Sequence, residues 1–101
     1  MASDVTAAFS QTYAEARAKF LAAAERRGLD GESHPHPLLG RDGEAMAMDV
    51  VRDGPAGAPA VLLVSSACHG VEGYCGSGVQ VALLDDDDWC DAVRRSGMAV
   101  L

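Results

Sequence analysis

The sequence predicts an α/β domain, and three observations carry that reading. Apolar residues recur at helical spacing near the N-terminus. Two apolar runs, 44–52 and 60–67, lie either side of a turn-forming stretch. The second run leads through "SSACHGVEGYCGSG" into a helical pattern, and one more apolar run, "MAVL", follows at 98–101.

The elements can be justified in order. Val5, Phe9, Tyr13, Ala16, Phe20 and Ala24 step by three or four residues and form one packing stripe. Ser10 can cap the start of that helix, and Thr12 with Glu15 offers a competing capping box. A start near Ser3 or near Ser10 both fit. Gly28 suits the C-terminal cap. Residues 29–43 read as loop from their Gly, Pro and Asp content. His34 and His36 flank Pro35 there, in an extended segment with nothing nearby to complete a metal site.

A strand is expected at 44–52 and a second at 60–67, with "DGPAGAP" turning the chain between them. The short separation predicts an antiparallel hairpin. The second run is apolar on both faces, as an interior strand of a covered sheet would be. Residues 71–84 then turn helical, with Val79, Leu83 and Val71 or Tyr74 on one side. Adjacent carboxylates at Asp85–Asp88 point in different directions, so a solvated loop is expected there. One Asp would cap a short helix over Trp89–Arg95. "MAVL" reads as a further buried strand, and a strand with no turn after it is expected of a domain cut through. The 101 residues are thus read as a single partial domain.

Composition excludes several classes. Hydrophobic residues make up 49% and charged residues 23%, a globular balance and not a disordered one. Much of the apolar share is alanine, which predicts a thin core. No stretch reaches the ~20 apolar residues of a membrane span, and the start lacks a signal peptide's features. No membrane partner and a cytoplasmic location are therefore expected. A net charge of −7 argues against a nucleic-acid partner. Arg26-Arg27 and Arg94-Arg95 fall near predicted helix ends, where they favour the helix dipole. Cys68, Cys75 and Cys90 form no CxxC pair, so reduced and mostly buried thiols are expected, with Cys68 packing.

The stretch Ser65–Gly78 carries the chemistry. It has no lysine, so it is no P-loop, and its glycines run G-x-x-G-x-x-G-x-G, the wrong order for a dinucleotide fingerprint. The nucleophile elbow G-x-S-x-G is absent. Cys68 and His69 are neighbours at a strand end, where side chains point oppositely, which disfavours a dyad. His69 and Glu72 instead lie just past a strand's C-terminal end, where open α/β sheets place their ligands. Imidazole and carboxylate are both zinc donors, and Gly70 and Gly73 let the backbone bend around an ion. The alternative is a glycine-rich turn whose His and Glu merely hydrogen-bond.

"HGVEGYCGSGVQVALL", preceded by an apolar strand, resembles the H-x-x-E zinc motif of carboxypeptidase A-like metallopeptidases. It is most similar to the bacterial branch known as domain of unknown function 2817. "FSQTYAEARAKFLAAA", "HPLLGRDGEAMAMDV" and "AVLLVSS" extend the likeness over about Phe9–Leu84, with "MAVL" as the next strand. The resemblance implies the N-terminal portion of a three-layer α/β/α sandwich of the zinc carboxypeptidase type, left incomplete: N-terminal helix, β-hairpin, helix and the start of a further strand. It implies a zinc-dependent hydrolase of peptide or other amide bonds, acting on a small peptide or an N-acyl amino acid. His69 and Glu72 match its first two zinc ligands. The third ligand, a later histidine, the general-base glutamate and the substrate arginine have no counterpart here. Two ligands hold zinc weakly, so this chain is expected to be inactive alone. The contrasting expectation is a truncated, non-catalytic product acting, if at all, as a binding module.

Overall fold

Helix α1 spans Tyr13–Arg26 because its two ends are well capped. The Thr12 hydroxyl accepts from the Glu15 amide at 3.1 Å, so the Thr12 box sets the start and Ser10 does not. Upstream, Val5–Ala8 form a short 3-10 helix, and Val5 and Phe9 lie outside α1. At the other end the Leu29 amide reaches the Ala24 carbonyl and the Gly28 amide reaches Glu25. Gly28 has φ +74, which completes a Schellman cap. The computed structural model describes residues 4–68 and 70–101. Ser3 as a possible helix start therefore lies outside the described residues.

Strand β1, Gly31–Pro35, pairs antiparallel with β2, Ala47–Val51, in the register Gly31↔Val51 through Pro35↔Ala47. The first half of the expected 29–43 loop is thus a strand. All five β1 positions are exposed, so no apolar alternation marks it. Strand β3, Val61–Leu62, pairs parallel with β4, Ala99–Val100.

The expected hairpin between 44–52 and 60–67 does not form, because β4 comes between the two runs. Ala99 and Leu101 bond to Ala60, Leu62 and Val64 on one side. Val100 exchanges both backbone bonds with Asp53 on the other, at 2.7 and 2.9 Å. A parallel pair needs a long crossover, and here it runs through α2, Gly73–Asp85, and α3, Asp87–Ser96. The described residues therefore hold three α-helices and two small sheets, a mixed α/β architecture.

The four aspartates are absorbed into this crossover. Asp86 caps α3 by accepting from the Trp89 amide at 3.0 Å. Asp85 takes a bidentate bond from Arg26, and Asp87 pairs with Arg27 at 3.0 Å. Arg27 also donates to the Leu84 carbonyl at 2.7 Å, so the end of α1 is tied to the α2–α3 junction. Arg94 and Arg95 occupy the last turn of α3, which stops at Gly97 with φ +75. Among the described residues no helix is long and apolar enough to cross a membrane.

The core is thin, as the alanine content predicts. Ala16, Ala23 and Ala24 of α1, Val81, Cys90 and Ala99 are its buried apolar members. Helix α2 packs on α1, yet Val71 and Val79 are exposed at 77% and 46%. The buried positions of α2 are Gly73, Gly78 and Val81, not the expected Val79 side. A Cβ at Gly78 would overlap the Phe9 ring. Strand β3 is not covered as an interior strand would be: Val61, Leu62 and Leu63 are all exposed.

Helix α1 is anchored to the first sheet by polar contacts. Tyr13 Oη donates to the Ala47 carbonyl at 3.1 Å and accepts from the Ala47 amide at 2.8 Å. Arg17 makes two bonds to Asp49, at 2.8 and 3.1 Å, and Ser33 Oγ donates to the same carboxylate.

Candidate metal-binding turn

The segment from β3 to α2 is a strand–turn–helix connection with an unusual bend. Ala67 has φ +59 and is the one non-glycine in the left-handed region among the described residues. That conformation costs an alanine roughly 1 kcal/mol or more, so neighbouring structure must hold it. Gly70 follows at φ +56, which glycine adopts without penalty.

The holding contacts come from α2. A Cβ at Gly73 would lie 2.6 Å from Ala67 Cα, and one at Gly76 would lie 2.7 Å from Ser66 Cβ. Only glycine permits this approach of helix and turn. Further along the same face, Gln80 uses both ends of its amide. Its Nε2 donates to the Val64 carbonyl at 2.9 Å, and its Oε1 accepts from Ser66 Oγ at 2.8 Å. Val64 is also fixed from the sheet, its amide donating to the Leu101 carbonyl at 2.8 Å.

Glu72 sits at the N-cap position of α2 with helical backbone angles, and it is exposed. Its carboxylate turns back over the preceding turn, where a Cβ on Gly70 would overlap it. A carboxylate there also faces the positive end of the helix dipole. His69, the other expected zinc ligand, lies outside the described residues. The donor chemistry fits a zinc ion in part: a carboxylate oxygen is turned toward the chain position next to an imidazole-bearing residue. Among the described residues, no three His, Cys, Asp or Glu side chains gather closely enough to hold a metal.

The remaining candidates lie elsewhere. His34 is exposed on β1, its Nε2 3.3 Å from Glu32 Oε2. His36 Nδ1 accepts from the Leu38 amide at 3.0 Å. Neither belongs to a group of three metal-ligating side chains among the described residues. A groove between the end of α1 and the β1–β2 hairpin, lined by Leu21, Glu25, Leu29, Ser33 and Val50, is likewise separate from the turn's lining residues.

The cysteines differ from expectation. All three are free thiols, but Cys68 and Cys75 are exposed and only Cys90 is buried. Cys68 falls in the turn, past the last paired residue of β3, so it does not pack. Cys90 faces the Leu83 and Leu84 carbonyls, and burial pushes its thiol pKa up.

Residues 9–101 match the family described as protein of unknown function DUF2817. The chain belongs to that family. The match begins at Phe9, covers the Gly-rich turn and runs through β4, so the DUF2817 pattern includes every sheet strand seen here. No curated protein and no solved structure matches the chain. Motif reading of this DUF2817 member passes over Ala67 and Gln80. Gln80 had a legible signal, since residues 73, 76 and 80 fall on one helical face. The left-handed Ala67 had none.

Proposed function

We propose that this chain supplies two zinc ligands, His69 and Glu72, to a hydrolase of peptide or other amide bonds. The substrate class is a small peptide or an N-acyl amino acid. One observation carries the reading: the Glu72 carboxylate is folded back over Gly70, the residue that follows His69 in sequence, on a turn braced against α2. The H-x-x-E spacing and the carboxypeptidase-like motif resemblance support it.

Zinc, when bound, supplies a Lewis acid for the scissile carbonyl and acidifies its water. The chain's own part is to present an imidazole and a carboxylate from one turn. Gly70 leaves room for the Glu72 carboxylate, Gly73 lets α2 pack against the Ala67 bend, and the carboxylate stands at the positive end of the α2 dipole. In this reading the third ligand and the general base come from residues outside the present sequence.

The test is zinc affinity of the 101-residue chain, by calorimetry, against His69→Ala and Glu72→Ala. Each variant should bind at least tenfold more weakly. Equal binding by all three would remove the ligand assignment and leave the non-catalytic binding module as the better reading.

A further inference from the structure

The turn that bears the proposed ligands is fixed from a distance. Gln80 is eight residues beyond Glu72, about 12 Å along the helix axis. Its side-chain amide hydrogen-bonds the segment before the turn, at Val64 and Ser66. That segment is the sheet-side end of the turn. Its helix-side end is Gly73, whose bare Cα lies against Ala67. Both ends of the Ala67–Gly73 excursion are therefore set by α2, and its non-glycine left-handed residue is the first one past the Gln80 grip.

We infer that Gln80 is a positioning residue: its side-chain amide fixes the left-handed bend at Ala67 and through it the placement of the metal-binding turn. Both functions of the amide are needed. The carbonyl end accepts the Ser66 hydroxyl and the NH2 end donates to the Val64 carbonyl. A glutamate keeps the first bond and loses the second, and it sets a charge against the Val64 carbonyl. An alanine loses both. The consequence for metal binding rests on the proposed zinc reading; the consequence for the turn does not.

The experiment compares the wild-type chain with Gln80→Ala, Gln80→Glu and Ser66→Ala by NMR. The readouts are the Ala67 Cα shift and amide–Hα coupling, which report its φ, and zinc added alone. In Gln80→Ala the Ala67 values should move to those of an ordinary extended or averaged alanine. In Ser66→Ala and Gln80→Glu they should move part of the way, with α1 and α3 signals unchanged. Zinc affinity should fall at least threefold in Gln80→Ala and less in Gln80→Glu. Unchanged Ala67 values in Gln80→Ala overturn the inference. So does an altered turn with unchanged zinc affinity, where His69→Ala abolishes binding. If His69→Ala leaves zinc binding untouched, the zinc reading fails and the Ala67 values still decide the role of Gln80. Should Gln80→Ala not fold, Ser66→Ala decides by the same Ala67 criterion.

Discussion

Gly73 and Ala67 touch without an intervening side chain, so that a Cβ on Gly73 would stand 2.6 Å from Ala67 Cα. The obstacle is backbone, which cannot swing aside as a side-chain tip can. Gly73→Ala should destabilise the chain by about 1–3 kcal/mol despite the better helix propensity of alanine. Gly57 has open space around its Cα, and Gly57→Ala is the control, expected within about 0.5 kcal/mol of wild type. Urea midpoints check both. Equal midpoints would mean that helix and turn are not in register as described.

Asp49 gives the fold a pH dependence. The Arg17 hydrogen bonds hold its carboxyl below the ordinary range, opposed by desolvation and helped by Ser33. A depressed folded-state pKa stabilises above the unfolded value, about 3.9, and that stability is lost as pH falls through the folded value. Wild-type stability should therefore drop below about pH 4. Asp49→Asn should be less stable by roughly 1–3 kcal/mol at pH 7 and show a flatter decline. Parallel acid profiles for the two proteins would contradict the Arg17–Asp49 brace.

Thiol chemistry separates the three cysteines. Cys68 and Cys75 are exposed, whereas Cys90 is 1% exposed with a raised pKa. An alkylating reagent at pH 8 should modify two thiols quickly and the third only on unfolding. Peptide mass spectrometry should find Cys90 as the late site. Early labelling of Cys90 would show that α3 is not packed on the domain.

The uncovered β3 strand should make the chain self-associate. Val61, Leu62 and Leu63 are exposed at 49%, 42% and 66%, a short apolar run on a sheet edge. Leu63→Lys should raise the monomer fraction in light scattering and leave the helical circular dichroism unchanged. No change in association would place the sticky surface elsewhere.

How much of this was legible in sequence follows from which residues signal locally. Thr12 with Glu15, Gly28 and Asp86 mark helix ends through their own backbone bonds, and each end falls where those residues stand. Within "MAVL", Ala99–Val100 form a strand, as the apolar run suggests. Strand β1 was illegible because its side chains are all exposed and its place is set by pairing with β2, which no local apolar pattern records. The hairpin expectation failed for a non-local reason: chain proximity favours 44–52 with 60–67, but Val100 occupies the partner position at Asp53. At the candidate site, His69 and Glu72 are readable as a motif. The brace that shapes their turn depends on missing Cβ atoms and one amide, which no motif records.

The central claim is that His69 and Glu72 are metal ligands, and imidazole NMR during zinc titration tests it most directly. The chain has three histidines, so the ring that responds identifies the site. The His69 signals should shift or broaden at the lowest zinc concentrations, Glu72→Ala should weaken that response at least tenfold, and His34 and His36 should respond later. A first response at His34 or His36, or a His69 response that Glu72→Ala leaves unaltered, would contradict the account.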